Sequence, residues 1–399
     1  MSILKGKRIL LGITGSIAAY KAADLASQLT QAEAQVDAML TPAAEKFVAP
    51  LTLQSVTGRR AYTETDLWGG EAHVLHVGLG HSAHVLAIAP CTANTIAKLA
   101  HGQADNLLTI AALAARCPLL IAPAMDGGML DHPATQENLA TLSKRGAVIA
   151  GPTEGHLASG LSGKGRMLEP SAILGHIRLL LGRDGRLAGK KVVVSAGGTQ
   201  EPLDPVRVLT NRSSGKQGYA LAQAAIDAGA ELVLITAPTA LAPPVGARLA
   251  HVRTAEEMRD AVLQACDGAD ALIMAAAVAD FRPRSVASDK LKTRQGVPSL
   301  ELEATEDVLQ AVARGRRPRI VIGFAAESRD LAQNASEKLK AKRLDLIVAN
   351  DISRTDSGFG TDANRVTLID AAGRAETLPL ASKAEVAEIV IERLAALLE

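Results

Sequence analysis

Short apolar segments alternate with longer amphipathic segments through the first half of the chain. The apolar segments have the length of strands buried in a sheet. They are Ile9–Ile13, Val36–Leu40, Val85–Ala89, Leu119–Ala122 and Ala147–Ala150. The segments with helical spacing are Ile17–Leu29, Thr92–Ala100, Leu107–Ala115 and Thr135–Arg145. This alternation predicts a parallel sheet with helices on both faces.

The same alternation begins again after a polar, glycine-rich segment at residues 181–190. The second set of expected strands is Val192–Ser195, Leu232–Thr236, Ala271–Ala276, Ile320–Phe324 and Leu346–Ala349. The expected helices are Tyr219–Ala228, Thr254–Cys266, Leu331–Ala341 and Lys383–Leu398. We therefore predict an α/β protein with two Rossmann-like domains, residues 1–185 and 186–399.

The composition is that of a globular protein and argues against several functional classes. The 399 residues are 48% hydrophobic with a net charge of +1, so we expect a large core and no non-specific binding of nucleic acid or anionic membrane. Aromatic residues make up 2%, which leaves few platforms for stacked bases. The cysteines form no C-x-x-C pair, which argues against a disulfide scaffold and a zinc module.

No segment predicts export or a membrane span. The N-terminus leads directly into a strand-like segment, without the pattern of a signal peptide. The longest apolar run, Ala271–Ala279, has about nine residues, roughly half of what a membrane-spanning helix needs. We therefore predict a cytoplasmic protein.

Three polar loops follow expected strands in the first half. Residues 12–16 combine glycines with a serine that suits a helix N-cap. Residues 89–94 add hydroxyl and amide groups at a second helix start, and Asp126 follows a third strand. Helix N-termini bind phosphate, and an open α/β sheet binds its ligand where such loops meet. We favour a ligand site over simple connections.

Four histidines invite a metal hypothesis. His73, His76, His81 and His84 have the spacing H-x2-H-x4-H-x2-H, but no cysteine and only Glu71 among nearby carboxylates would complete a familiar ligand set. Surface histidines, one of them an acid–base group, are the favoured interpretation.

The glycine- and serine-rich segment Gly155–Arg166 has two interpretations. It is either a flexible connection or a mobile lid over the first site.

Two loops of the second half suit an anion. Residues 196–199 follow a strand, and residues 211–216 precede a helix with backbone amides, hydroxyls and a lysine. Thr210 stands where a Walker loop needs glycine, which argues against an ordinary kinase or P-loop ATPase. Lys290 lies in a polar segment, and Lys338 and Lys342 are four residues apart on one expected helix. Spacing alone does not establish whether the three lysines meet at one ligand.

Motifs in both halves occur in the order of a known family. In the first half they are residues 12–21 (GITGSIAAYK), 76–79 (HVGL), 89–94 (APCTAN), 123–126 (PAMD) and 163–167 (GKGRM). In the second half they are residues 196–207 (AGGTQEPLDPVR), 211–218 (NRSSGKQG), 275–280 (AAAVAD) and 323–327 (GFAAE). Nearly the whole chain thus resembles the bifunctional coenzyme A biosynthesis proteins, which join phosphopantothenoylcysteine decarboxylase to phosphopantothenate–cysteine ligase.

For the first half, the resemblance implies a flavodoxin-like flavoprotein domain that binds FMN. Matched cofactor positions are Gly12, Thr14, Gly15, Ser16, Thr41, Thr92 and Asn94. His76 matches the catalytic histidine, which assists oxidation of the substrate thiol. Carbon dioxide is then lost, and return of a hydride equivalent gives 4'-phosphopantetheine.

Two first-half residues depart from the family pattern. Asp126 replaces an asparagine that binds the substrate carboxylate, and an ionised aspartate repels that group unless Arg166, also matched to the substrate, offsets it. Ser159 replaces a proton-donating cysteine of the lid and is a weaker acid. Our hypothesis is that the site still decarboxylates, with Ser159, water or another lid group delivering the proton.

For the second half, the resemblance implies ligation through an acyl-cytidylate. The carboxylate of 4'-phosphopantothenate attacks CTP, and the amine of cysteine then displaces the monophosphate. Lys290 matches the lysine that stabilises charge during activation, and Asn211 matches the asparagine that holds the acyl intermediate. Other matched substrate positions are Arg207, Ala276, Asp280, Asp307, Val308, Phe324, Lys338 and Lys342. Mg²⁺ is expected to bridge the phosphates, with its protein ligands unknown.

The family also implies a homo-oligomer, with trimeric flavin domains and dimeric ligase domains.

Three alternative functions stay open. They are an active ligase with a decarboxylase impaired by Asp126 and Ser159, a flavin prenyltransferase-like first half, and a non-enzymatic flavoprotein regulator. Such regulators commonly have an acidic tail, whereas Lys383–Glu399 is amphipathic.

Overall fold

The chain divides into two compact units, Met1–Leu181 and Gly182–Glu399. In this computed structural model, the described residues are 3–68, 72–156, 160, 162–292, 299–327, 331–351 and 361–399. Among them, no helix is both long and apolar enough to cross a membrane.

The first unit is built on a parallel sheet. Its strands are β1 (Arg8–Ile13), β2 (Gln35–Leu40), β3 (Ala61–Tyr62), β4 (Val85–Cys91), β5 (Leu119–Pro123), β6 (Val148–Ile149), β7 (Thr153–His156) and β8 (Ser162–Arg166). Its helices are α1 (Tyr20–Gln31), α2 (Pro50–Thr57), α3 (Ala72–Ser82), α4 (Ala93–His101), α5 (Leu107–Ala114), α6 (Gly127–Asp131), α7 (Pro133–Lys144) and α8 (Pro170–Gly182). The main sheet has the order β3-β2-β1-β4-β5-β6 with all strands parallel. Without the two-residue β3, this is the flavodoxin-like order.

Side chains of β1 alternate between two cores. Ile9 and Leu11 belong to one cluster and Leu10 to another, as expected for a strand covered on both faces.

The described residues of the segment Gly155–Arg166 include parts of two strands, which a simple flexible connection does not require. β7 and β8 pair with each other as an antiparallel hairpin. The sequence pattern also does not predict α3, which carries His76 and His81. Its glycines and histidines give it a weak helical signal.

The second unit contains a mixed sheet. Its strands are β9 (Lys191–Ala196), β10 (Gln200–Pro202), β11 (Val208–Thr210), β12 (Glu231–Thr236), β13 (Arg248–His251), β14 (Ala271–Met274), β15 (Phe281–Pro283), β16 (Leu302–Ala304), β17 (Ile320–Glu327), β18 (Leu346–Asp351), β19 (Ala363–Asn364), β20 (Val366–Asp370), β21 (Ala375–Thr377) and β22 (Ala381–Ser382). Its helices are α9 (Lys216–Asp227), α10 (Ala255–Ala265), α11 (Val308–Arg314), α12 (Leu331–Ala341) and α13 (Lys383–Leu398). The main sheet has the order β13-β12-β9-β14-β17-β18-β20-β21, and only the pairings of β20 are antiparallel.

The prediction of two α/β Rossmann-like domains is confirmed. In each main sheet the chain moves outward from the first strand on one side and then returns to the other side, which creates a switch point between β1 and β4 and between β9 and β14. Two details differ from the sequence pattern. β14 ends at Met274 instead of Ala276, and Lys342, expected on one helix with Lys338, lies just beyond α12, which has its expected bounds.

Candidate functional site

Thr14 connects the loop after β1 to the loop around Pro90 and Thr92 at the first switch point. Its hydroxyl donates to the Pro90 carbonyl at 2.8 Å and accepts from the Thr92 N–H at 3.0 Å. Ser16 caps the short 3-10 helix Ile17–Ala19 by accepting from the Ala18 N–H at 3.2 Å. The buried Thr14 therefore shapes the site from behind instead of facing a ligand.

A cavity of about 610 Å³ opens in front of these loops. Five sequence-predicted residues line it, namely Gly15, Ser16, Thr92, Asp126 and Arg166. Exposed apolar side chains of Ile17, Tyr20 and Met129 form part of its wall. The cavity thus combines an apolar surface with the amides and hydroxyls of two helix starts.

The β7–β8 hairpin is docked on the loop that follows β5. The Met125 N–H donates to the Gly165 carbonyl at 3.0 Å. Asp126 caps α6 by accepting from the Gly128 N–H at 3.0 Å. The hairpin and Asp126 therefore form one side of the cavity together.

Lys21 is a buried cation of this cavity that the residue pattern alone did not single out. It is 7% exposed, and its Nζ donates to Glu169 at 2.8 Å. Arg166 donates to the same Glu169 oxygen at 2.7 Å. The Lys21 hydrogen bond lowers the pKa of Glu169 most strongly; the charges of both cations also lower it, whereas desolvation opposes the shift. One carboxylate thus serves two cations, and Asp126 adds a second negative charge. The sequence did contain a signal for this buried cation, because Lys21 is the one lysine on the otherwise apolar face of α1.

Several predicted first-half residues do not line this cavity. Gly12 and Thr41 lie within the fold, Asn94 is exposed on α4, and His76 is half-buried on α3. The His76 Nδ1 atom is buried without a hydrogen-bond partner among the described residues. Ser159 lies outside the described residues.

Two adjoining cavities, of about 180 and 330 Å³, lie at the carboxyl ends of β14 and β17. They share Ala276, Val278, Asp280 and Phe324. The smaller also contains the predicted residues Asp307, Val308 and Lys342, and the larger contains Asn211 and Lys338. Eight of the residues predicted for the second half are thus brought together.

Polar contacts fix the walls of these cavities. Lys342 pairs with Asp307 at 2.8 Å beside the smaller cavity. The Asn211 side-chain amide donates to the Val278 carbonyl at 3.1 Å. The N-terminus of α9 lines the larger cavity, and no side chain of the described residues caps it, so its N–H groups suit an anion.

Lys290 and Arg207 are not among the described residues that line either cavity. A buried carboxylate, Asp204, instead holds Arg207 and Leu291, the residue next to Lys290. It accepts from the Leu291 N–H at 3.1 Å and from Arg207 Nη1 at 2.9 Å. Desolvation raises the pKa of Asp204, but hydrogen bonds from Val206, Leu291 and Arg207 outweigh it and hold the pKa below its usual value.

Three residues of the larger cavity were missed by sequence reasoning, namely Asn350, Asn364 and Lys383. Burial lowers the pKa of Lys383, Lys216 lowers it further, and Asp362 raises it. Lys216 itself pairs with Asp362 at 2.6 Å.

Among the described residues, neither the cysteines nor the acidic and histidine side chains indicate a further reactive centre. Burial raises the pKa of the Cys91 and Cys266 thiols, the latter to about 12. In the part of the chain that the structure describes, no three His, Cys, Asp or Glu side chains form a metal-binding group.

Comparisons with known proteins cover both units. Residues 2–182 match the Flavoprotein family, and residues 187–398 match the family described as the DNA/pantothenate metabolism flavoprotein C-terminal domain. The chain is 43% identical to the coenzyme A biosynthesis bifunctional protein CoaBC of Bacillus subtilis (strain 168), over 99% of this chain and 98% of that protein. It is 42% identical to CoaBC of Mycobacterium tuberculosis (strain ATCC 25618 / H37Rv), over 97% and 96%. A solved C-terminal domain of a CoaBC protein has 38% identity and a TM-score of 0.47, and covers 54% of this chain and 98% of that structure.

Proposed function

The chain belongs to the family of bifunctional coenzyme A biosynthesis proteins, and we propose that it uses CTP to join cysteine to 4'-phosphopantothenate and FMN to decarboxylate the product. It is a bifunctional enzyme with a flavoprotein decarboxylase domain and a ligase domain. The identity of 43% across both domains is the observation that carries this conclusion.

The first cavity fits FMN. Its volume of about 610 Å³, its apolar wall and its helix starts suit a flat ring with a phosphate tail. Gly15, Ser16 and Thr92 would hold the cofactor, with Gly12, Thr14, Thr41 and Asn94 shaping the surrounding loops. FMN, when bound, supplies the reversible two-electron chemistry that oxidation of a thiol requires.

The chain's own residues then bind the substrate and move protons. Arg166 offers its guanidinium to the substrate carboxylate, and Asp126 lies beside it. His76 serves as the base for the thiol, and Ser159 or water returns a proton at the end.

His76 does not line the cavity of its own chain, so its proposed role requires a second copy. We therefore propose trimers of the flavin domain, in which His76 of one copy faces the cavity of another. Exposed Ile17, Tyr20 and Met129 at the cavity support such packing. The dimer of ligase domains and the cytoplasmic location stay predictions from the sequence.

Asp126→Asn is expected to raise kcat/KM for decarboxylation about tenfold, equivalent to about 1.4 kcal/mol in transition-state free energy. The exchange removes a negative charge that repels the substrate carboxylate, and two like charges 4 Å apart near a protein surface interact by about 4 kcal/mol before screening. Asparagine also caps helices as well as aspartate, so the bond to the Gly128 N–H is kept. Steady-state assays on purified phosphopantothenoylcysteine measure the change, with ligase activity as the internal control. A slower D126N enzyme would show that the carboxylate has a positive role.

In the second domain, a carboxylate oxygen of phosphopantothenate attacks the α-phosphorus of CTP, and pyrophosphate leaves. Lys290 stabilises the charge that develops on the phosphates. The nitrogen of cysteine then forms a bond to the acyl carbon, the acyl C–O bond breaks, and CMP leaves with the electron pair while the amine loses a proton. Asn211 holds the acyl group for this attack.

The cavity residues divide between the parts of the nucleotide. Ala276, Val308 and Phe324 border the base, whereas Lys338 and Lys342 supply positive charge. Mg²⁺ enters with CTP and takes most of its ligands from phosphates and water, so the absence of a three-ligand cluster among the described residues is compatible with it. Asp280, Glu306 and Asp307 are carboxylates on the smaller cavity, and Asp280 and Asp307 would hold the ion. Arg207 is left to contact phosphopantothenate.

The test uses the full chain with phosphopantothenate, cysteine, CTP and Mg²⁺, followed by mass spectrometry. We expect 4'-phosphopantetheine, CMP and pyrophosphate as products, and FMN as the flavin released on denaturation. Accumulation of phosphopantothenoylcysteine would indicate a decarboxylase impaired by Asp126 and Ser159. Accumulation of the enethiol would locate the defect at the final proton transfer. Equal turnover with ATP would overturn the choice of CTP.

A further inference from the structure

The larger cavity brings together Asn350, Asn364 and Lys383. These residues are separated in the sequence and belong to two strands and a helix. Asn350 is near the end of β18, where it pairs with Ala326 of β17. Asn364 pairs with Ala381 in the β19–β22 ladder, and Lys383 begins α13 two residues later. Sheet pairing thus holds three polar side chains beside the ligase site.

The orientation of one of these amides is fixed by Gln217 on α9. The Asn364 Nδ2 group donates to Gln217 Oε1 at 2.9 Å, and Gln217 Nε2 donates to the Lys383 carbonyl at 3.1 Å. The Nδ2 bond leaves Asn364 Oδ1 as an acceptor. This small network also ties Asn364 to the start of α13.

Two amide oxygens of the cavity lack a hydrogen-bond donor in the part of the chain that the structure describes. Asn350 Oδ1 and Asn364 Oδ1 are buried without a hydrogen-bond partner among the described residues, and Asn364 is only 4% exposed. Lys383 is 7% exposed on the same cavity. Buried polar atoms normally have partners, so the two orphan acceptors indicate a ligand with N–H donors. The Lys383 ammonium on the same cavity suits a negative charge on that ligand.

We propose that Asn350, Asn364 and Lys383 form the subsite for the amino-acid substrate, cysteine, of the ligase reaction proposed above. The Lys383 ammonium binds the α-carboxylate. A neutral amine has two N–H donors and one lone pair. The two asparagine oxygens accept both N–H groups, and the lone pair is left for the acyl carbon held at Asn211, which lines the same cavity.

The triphosphate of CTP is the competing occupant of this region. Phosphate oxygens are acceptors and offer no N–H group to Asn350 or Asn364. The free N–H groups at the start of α9 and Lys338 suit phosphates better. The two anionic groups of the reaction are therefore assigned to different walls of the cavity.

Lys383→Met tests the subsite because it removes the charge and keeps most of the side-chain volume. We expect KM for cysteine to rise roughly 10- to 100-fold, as for loss of a hydrogen bond to a charged group. KM for CTP and for phosphopantothenate should stay within about twofold. Without cysteine, K383M should form the acyl-cytidylate at the rate of the unmodified chain, as measured by the release of pyrophosphate.

A second substrate gives a readout that misfolding would not reproduce. Cysteamine has the amine and thiol of cysteine but no carboxylate, so the unmodified enzyme should prefer cysteine and K383M should lose most of that preference. Lys338→Met is the matched variant on the same cavity, and we expect it to raise KM for CTP instead.

Three results would overturn the subsite. An unchanged KM for cysteine in K383M would remove the role of Lys383. Loss of acyl-cytidylate formation in K383M, with a raised KM for CTP, would assign Lys383 to the triphosphate. Failure of the unmodified chain to form any acyl-cytidylate would overturn the proposed nucleotide chemistry, and this subsite with it.

Discussion

Asp204→Asn is expected to lower the rate of acyl-cytidylate formation about 100-fold, the size of effect that a misplacement of about 1 Å produces in an active site. Asp204 uses one carboxylate oxygen to accept from the Val206 and Arg207 N–H groups, both at 2.8 Å. The other oxygen accepts from the Leu291 N–H and from Arg207 Nη1. Asparagine can serve the first pair, but its NH₂ group then faces the second pair of donors. The hydrogen bond from the Leu291 N–H, which holds the residue next to Lys290, is therefore lost.

Pyrophosphate release measured in a single turnover reports this step. Transfer of the acyl group from preformed acyl-cytidylate to cysteine should be much less affected, because Lys290 acts during activation. Asp289→Asn is the matched control, since it removes an exposed carboxylate next to Lys290 that does not hold Leu291. Equal slowing of both steps in D204N, with a lowered Tm, would mean that Asp204 is only structural.

The hydrogen bonds of Asp204 with Leu291 and Arg207 depend on pH, because protonation of Asp204 weakens them. Its pKa lies below the usual value in the folded state, so the carboxylate contributes stability at neutral pH. That contribution is present above the pKa of the unfolded chain and is lost as pH falls through the lower folded pKa. The ligase should therefore keep its Lys290 segment in place throughout the neutral range.

The sequence predicted both sheets and most of the loops at their switch points. Buried parallel strands such as β1 and β9 are short uninterrupted apolar segments, which is a local signal. Ser16 lies in the loop that follows β1 and Asp126 in the loop that follows β5, so chain order sets their position at the carboxyl edge of the sheet. Strand order and local spacing were sufficient for these features.

Features that depend on distant pairing could not be predicted. Lys383 looks like the first residue of an amphipathic helix, and only the β19–β22 ladder brings it to Asn364. Asp204 looks like an ordinary turn residue, and its bond to the Leu291 N–H spans 87 positions of the chain. Lys290 and Arg207 were predicted from family motifs, yet they lie outside both ligase cavities among the described residues.

Gly165→Ala is expected to lower kcat/KM for decarboxylation by at least about 100-fold while ligation continues at its usual rate. Gly165 has φ +133°, and a Cβ atom there would lie 2.2 Å from the Met125 carbonyl oxygen. A backbone atom cannot turn aside as the end of a side chain can, so the hairpin must move away from the loop that carries Asp126. Overpacking and backbone strain of this kind each cost about 1–3 kcal/mol.

Gly163→Ala is the matched control on the same strand. A Cβ atom at Gly163 meets nothing within 4 Å, and its φ is outside the left-handed region. Both variants should be compared by decarboxylation of phosphopantothenoylcysteine, by bound flavin and by ligase activity. G165A should lose decarboxylation and part of its flavin, whereas G163A should resemble the unmodified chain. Decarboxylation by G165A at the rate of G163A would show that the hairpin does not need its contact with Met125 for the site to work.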